Sequence, residues 1–288
     1  MLNDRPTLQP LVDLTPLEER VPELRERYAG AAPYPHITLE DVLHPDALQT
    51  IYDEFEAIPE VTWTNYLHLN ERKFGHTDVH HWGPSLQALR EELCSERFVS
   101  FVSAVTGIAD LHADDVMDGG GLHRSLPGGF LNIHSDFSAH HSKPGWRRRV
   151  NLLLYLNPEW QPEWGGALEL WSKDMQRCVT RIDPKANRIL LFTTDADSLH
   201  GHPEPLRFPP GQARRSLALY YFTIEDHVAH HATNYRARPG DGVSGKVKIW
   251  LDKEALAAYD LLKRPLRLSD DAVSRALGAL SRRGRSSR

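Results

Sequence analysis

A mainly β fold with flanking helices, α+β overall with an antiparallel sandwich or barrel at its centre, is predicted by three features of this sequence. Between residues 115 and 223, six apolar runs of strand length alternate with turn signals rich in glycine and proline. Before residue 115, apolar residues recur three to four apart, the spacing of amphipathic helices. After about residue 225 the chain turns polar and then regains helical spacing at 253–263 and 269–281. The organisation expected is a helical or mixed support region at 1–114, a β core at 115–225 and a polar, helical extension at 226–288, all in one overall domain.

Taken in order, PLEERVPELRERY (16–28) places Leu17, Val21, Leu24 and Tyr28 on one helical face, with Pro22 positioned to split it. AAPYPH breaks the chain, and ITLEDVL begins a short strand or turn. DALQTIYDEFEAI aligns Leu48, Ile51, Phe55 and Ile58 on a second helix. Residues 60–84 carry aromatics and histidines without periodicity and are expected to form a loop. Ser85 is placed to cap a third helix that runs to Gly107. The β core then reads FLNIH, RRVNLLLYL, ALELW, CVTRI, NRILLFTT and RRSLALYYFT, separated by GGG, PGG, NPEWQPEWGG and RFPPG.

Composition narrows the function classes. The chain has 288 residues, 40% hydrophobic and 25% charged, an ordinary globular balance. A net charge of −5 argues against nucleic acid as the main partner, since phosphate binding needs a concentrated positive surface. No apolar run reaches the roughly 18 residues of a membrane span. Cys94 and Cys178 are the only cysteines and imply no disulfide framework. A soluble, cytoplasmic protein is expected.

Chemistry is concentrated in FLNIHSDFSAHH (130–141). On an extended strand, residues i and i+2 face the same way, so His134 and Asp136 project together. An H-x-D pair is common and weak evidence alone. A third ligand is available at His200 or His202, after the strand NRILLFTT. Two histidines and a carboxylate form the facial triad of non-haem Fe(II) oxygenases, and zinc would accept the same set. In RRSLALYYF, Arg214, Ser216, Ala218 and Tyr220 share one face, and Arg215, Leu217, Leu219 and Tyr221 the other. A guanidinium beside small side chains suits a pocket for a dicarboxylate.

FLNIHSD, VNLLLYLNPEW, GGALELW, LLFTTDADSLHGHPEP and RRSLALYYF, in this order, resemble the Fe(II)- and 2-oxoglutarate-dependent dioxygenases of the prolyl 4-hydroxylase-like group over about 115–223. YPHITLEDVLHPDALQTIYDEF and VTGI resemble the family's usual lead-in. The resemblance implies a double-stranded β-helix, a jelly-roll, cupin-like core with flanking helices. It implies that His134, Asp136 and His200 hold Fe(II), with His202 the second candidate for the distal ligand. Arg214 would pair with the far carboxylate of 2-oxoglutarate beside Ser216, and Tyr155 falls where some members place a hydroxyl on that carboxylate. Strand parity disfavours Arg215 for this role. Leu122-His123-Arg124 departs from the family, which often has a helping tyrosine there.

The implied activity is hydroxylation of an unactivated C–H bond, with O2 as oxidant, succinate and CO2 as co-products, and ascorbate as a candidate reductant. Asp136 favours hydroxylation over halogenation, because related halogenases carry a small non-coordinating residue there. The substrate class stays open between free amino acids, peptidyl residues and natural-product intermediates, with 62–84 and 137–148 the loops expected to choose. The alternatives are a zinc-dependent hydrolase on the same three ligands and a non-catalytic jelly-roll binding protein. His140 and His141 read as solvated or substrate-contacting, His230 and His231 as surface residues, and a homodimer contact through the C-terminal helices is a further candidate.

Overall fold

The computed structural model describes residues 10–243, 245–247, 249–251 and 254. The helices expected at 253–263 and 269–281 fall, but for Glu254, outside these residues. No helix among the described residues is long and apolar enough to cross a membrane.

The chain opens with α1 (Thr15–Glu18) and α2 (Val21–Gly30), split where Pro22 enters the first turn of the second. β1 (His36–Glu40) and α3 (Pro45–Glu56) follow. Residues 64–76 then form a hairpin, β2 (Thr64–Leu67) and β3 (Glu71–His76), where a loop was expected. β3 lacks apolar alternation because one of its faces, carrying Glu71 and Lys73, lines a polar interior. Close packing also shapes this hairpin: a Cβ at Gly75 would lie 2.7 Å from the Tyr66 ring.

The single helix expected at 85–107 is two, α4 (Pro84–Leu93) and α5 (Glu96–Thr106). Ser95 restarts the helix by accepting a hydrogen bond from the Phe98 amide at 3.3 Å. Ser85 is not a cap. Its own amide and that of Leu86 donate to the Glu54 carboxylate of α3, so a neighbouring helix supplies the cap. Gly107 ends α5 in the left-handed conformation, as expected.

The core strands are β4 (His112–Ala113), β5 (Gly121–Ser125), β6 (Phe130–Ser135), β7 (Trp146–Tyr155), β8 (Leu168–Trp171), β9 (Cys178–Ile182), β10 (Arg188–Thr193), β11 (His200–His202), β12 (Arg214–Ile224) and β13 (Asn234–Tyr235). All pairing is antiparallel, along the path β1-β10-β7-β12-β5-β3-β6-β11-β8-β9, with β2 beside β3, β4 beside β12 and β13 beside β6 off that path. β3 is the hinge of the sheet. Phe74–His76 pair with β5, while Glu71 and Arg72 pair with β6, so a larger wall curls into a smaller one.

Parity assigns the two faces of the larger wall. Val150, Leu152, Leu154, Leu217, Leu219 and Tyr221 face outward and pack with Phe55, Leu89 and Phe101 of the helices. Arg215 shares that side, and its guanidinium forks onto Glu56 of α3 at 2.6 and 3.2 Å. Tyr155, Leu190 and Phe192 face inward with Leu168 and Leu170 of the smaller wall. The result is a curled half-barrel whose convex side carries the helices and whose interior holds the polar residues.

Truncating Leu152, fully buried under the helices, to alanine is expected to cost about 2–5 kcal/mol. Ser95→Ala removes only a cap and is expected to cost about 1 kcal/mol. Urea unfolding of the two variants checks that order.

Candidate metal and dicarboxylate site

His134 and His200 stand directly opposite each other where β6 pairs with β11. Their ring centroids are 4.5 Å apart. Each ring bonds through Nδ1 to a carbonyl two residues upstream: His134 to Asn132 O and His200 to Ser198 O, both at 2.9 Å. A carbonyl only accepts, so Nδ1 is the donor in both rings and Nε2 is the ring atom left for a metal. Asp136 follows the end of β6, and its oxygens lie 3.5 Å from both Nε2 atoms. One donor atom from each of the three lies within 4.8 Å of the others.

Charge at this cluster is tuned by burial. Burial lowers the His200 pKa to about 4 despite the nearby Asp136 carboxylate, so the ring is neutral at ordinary pH. Burial alone would raise the Asp136 pKa, but Arg148, His200 and His134 together hold it well below the usual carboxylate range. A carboxylate with two lone-pair imidazoles is the donor set of a divalent transition metal.

Arg148 and Asn151 fix the carboxylate. Asn151 Nδ2 donates to Asp136 Oδ2 at 2.7 Å, and Arg148 Nη2 donates to the same oxygen at 3.1 Å. Arg148 Nε in turn donates to Asn151 Oδ1 at 2.7 Å. The Arg148 guanidinium lies 3.3 Å from the Tyr220 ring centroid and 4.6 Å from that of Phe137. Oδ2 is thereby engaged, and Oδ1 is the oxygen freer to bind a metal.

Sequence parity hides this pair. Three residues apart, Arg148 and Asn151 should face opposite ways on a regular strand. A bulge corrects this: Tyr221 pairs with Val150 but Phe222 with Arg148, so Arg149 is an extra residue in β7. The bulge brings both side chains to the interior.

Arg214 faces the interior at the start of β12. Its Nε donates to Gly166 O at 2.8 Å and its Nη2 to the Tyr155 hydroxyl at 3.4 Å. Gly166 has φ +85°, and a Cβ there would meet Arg214 Cδ at 3.2 Å and Leu206 at 2.8 Å, so the turn requires glycine. Among the described residues Arg214 has no carboxylate partner, and burial lowers its pKa. Ser216 is buried opposite Tyr155 on one side and His123 on the other. A buried guanidinium without a counter-charge suits an anionic ligand.

The remaining candidates separate. His202 is buried but stands outside the donor cluster. His140, expected to be solvated or substrate-contacting, is instead a buried anchor, 2% exposed. It bonds to Asp114 at 3.1 Å through Nε2, and its Nδ1 accepts the amides of Ser142 and Lys143, tying down its own loop. His141 bonds to Asp118. His230 is exposed and His231 half-buried, and the His231 amide donates to Ser138 Oγ. Arg124 forks onto Glu60 and lies 4.5 Å from the Trp63 ring centroid, both in the chain's N-terminal third. Sequence reading did not single out Glu71 and Lys73 of β3, paired at 3.2 Å, or the Arg148–Asn151 pair.

Comparison with known proteins agrees with this geometry. Residues 120–222 match the family model of the 2OG-Fe(II) oxygenase superfamily. Prolyl 3,4-dihydroxylase OGFOD1 of Ostreococcus tauri is 26% identical over 217 residues, which is 68% of this chain and 39% of that protein. The chain thus spans about two fifths of the length of this curated relative. Among solved structures, a Pseudomonas putida prolyl-4-hydroxylase aligns with a TM-score of 0.50 and 18% identity, covering 70% of this chain and all of that one. A Trichoplax adhaerens prolyl hydroxylase, solved with a hypoxia-inducible-factor peptide, aligns with a TM-score of 0.53 and 16% identity, covering 72% and 92%. The structural likenesses establish the fold: the half-barrel is the double-stranded β-helix of these enzymes.

Arg148→Leu is expected to weaken divalent-metal binding about 10–100-fold by freeing the Asp136 carboxylate. Arg147→Leu, at a half-exposed neighbouring position, should leave affinity unchanged. Titration of the two variants with Zn(II) tests the contrast.

Proposed function

We propose that this chain, whose residues 120–222 form a 2OG-Fe(II) oxygenase domain of the prolyl 4-hydroxylase-like group, hydroxylates a C–H bond of an amino-acid, peptidyl or natural-product substrate. The observation that carries the reading is the convergence of two lone-pair imidazoles, His134 and His200, on the buried Asp136 carboxylate. Arg214, a buried cation without a carboxylate partner among the described residues, sets the reading apart from a zinc hydrolase, which would leave it without a role.

His134, Asp136 and His200 would hold Fe(II), and Arg214, with Tyr155 and Ser216 beside it, the far carboxylate of 2-oxoglutarate. When bound, Fe(II) and 2-oxoglutarate supply the oxidising chemistry with dioxygen, and succinate and carbon dioxide leave as co-products. The protein's own residues do the rest. Backbone carbonyls keep the Nδ1 protons of both imidazoles and so fix their tautomers. Arg148 and Asn151 keep Asp136 ionised and oriented. Tyr235 of β13, its ring 5.4 Å from that of His134, screens one flank of the site from water.

A peptidyl prolyl residue is the first substrate to test, because the Ostreococcus relative bears a prolyl dihydroxylase name. Ascorbate as reductant and a homodimeric state belong to the same proposal.

Adding 2-oxoglutarate to the Fe(II)-loaded protein without oxygen should produce a weak visible band. His134→Ala, Asp136→Ala and His200→Ala should each abolish it and reduce succinate formation to background. Arg214→Leu should keep metal binding but lose about 2–5 kcal/mol of cosubstrate binding, about 30-fold or more in Kd. A wild-type protein that forms neither band nor succinate with any substrate sinks the reading.

A further inference from the structure

We infer that His202 is a cosubstrate-binding residue, a third anchor for the dicarboxylate beside Arg214 and Tyr155. The inference rests on the oxygenase reading above and adds a contact to it.

His202 is only 4% exposed, and its Nδ1 has no hydrogen-bond partner among the described residues. A buried imidazole nitrogen without a partner is unfavourable unless a ligand or water completes it. Its place on the strand points to the ligand. The pairing with β6 shifts register between His200 and His202, the extra residue lying in β6, and His202 faces the interior as His200 does, with Arg214, Lys73 and Glu71 as its charged neighbours. Two residues of strand advance the chain by about 6–7 Å, comparable to the reach of a five-carbon dicarboxylate from its chelating end to its far end.

The direction of that advance is set by β8. His200 pairs with Leu170 and Gly201 with Glu169, so the next step runs toward the start of β8 and the Gly165-Gly166 turn. Gly166 is the residue whose carbonyl holds Arg214. His202 and Gly166 line the same cavity, of about 280 Å³. Three carboxylates lie on its wall, and each has a cation beside it: Glu169 pairs with Arg181 at 3.0 Å, Glu204 with Arg238 at 2.6 Å and Asp183 with Lys185 at 4.0 Å, so they do not oppose an anion fully. An imidazole N–H directed at the far carboxylate would satisfy the unpartnered nitrogen.

The test uses the full chain loaded with Zn(II), a redox-silent stand-in, titrated calorimetrically with 2-oxoglutarate. His202→Leu removes both nitrogens at similar volume, while His202→Asn keeps a donor near the position of Nδ1. His202→Leu should raise the Kd for 2-oxoglutarate about tenfold, as for loss of one hydrogen bond to a charged group. His202→Asn should restore much of that affinity, and Zn(II) affinity should be unchanged in both. On the wild type, a histidine ring N–H that becomes protected from exchange when 2-oxoglutarate is added, seen by 15N NMR, would support the contact even if the leucine variant does not fold.

Wild-type affinity in His202→Leu, or equal weakness in the leucine and asparagine variants, overturns the inference. So does a parallel loss of Zn(II) affinity, because His202 would then act through His200. Arg214→Leu separates the two readings. If it binds 2-oxoglutarate normally, the cosubstrate assignment itself fails. If it loses binding while His202→Leu does not, only the inference about His202 falls.

Discussion

The buried carboxylate of Asp136 is the constraint on which the rest of the interior depends. A carboxylate buried among apolar strands without a cation beside it would neutralise itself by taking up a proton. Arg148 prevents this by standing within hydrogen-bond distance, and Asn151 completes the same oxygen. Arg148 is itself almost fully buried and is held between the rings of Tyr220 and Phe137. The bulge at Arg149 is what lets β7 deliver both donors to one side. Remove any of these and a polar group in the half-barrel loses its partner.

The same sheet separates two tasks by strand parity. On β12, odd-numbered residues serve the helix layer: Leu217, Leu219 and Tyr221 pack with the helices, and Arg215 is fixed by Glu56. Even-numbered residues serve the interior: Arg214 reaches Tyr155 and Gly166, and Tyr220 supports Arg148. Neighbouring arginines thus have unrelated duties. Because Arg215 is tied to Glu56 and Asn157 accepts its backbone amide, the strand is anchored from outside, which limits how far Arg214 can move.

Much of this was legible in the sequence wherever a strand is regular. Six core strands, β6 to β10 and β12, follow apolar runs bounded by glycine and proline, and the shared facing of His134 with Asp136 and the facing of Arg214 follow from counting by two. Legibility fails where tertiary context supplies the determinant. β3 has no apolar alternation because its inner face carries Glu71 and Lys73, so only its pairing with β5 and β6 reveals it as a strand. The break between α4 and α5 depends on Ser95 acting as a cap, one serine among several in an otherwise continuous helical pattern. Arg148 was hidden by an extra residue that reverses parity. His140 drew attention as one of a histidine pair, but its hydrogen bonds serve its own loop and Asp114.

Charge balance links the site to its ligands. Three basic side chains face the interior, Arg148 and Arg214 buried and Lys73 half-buried. Two carboxylates answer them, Asp136 to Arg148 and Glu71 to Lys73. Among the described residues Arg214 is left with a hydroxyl and a carbonyl, both neutral. His123 and His202, which flank it on β5 and β11, are pushed toward the neutral form by burial and by these cations, so they add no further positive charge. A lone doubly charged metal ion would add to this excess of positive charge, whereas one accompanied by a dicarboxylate would leave the net charge unchanged. The interior is therefore better suited to both together than to the metal alone, and the anchor proposed for a dicarboxylate at Arg214 would indirectly favour retention of the metal.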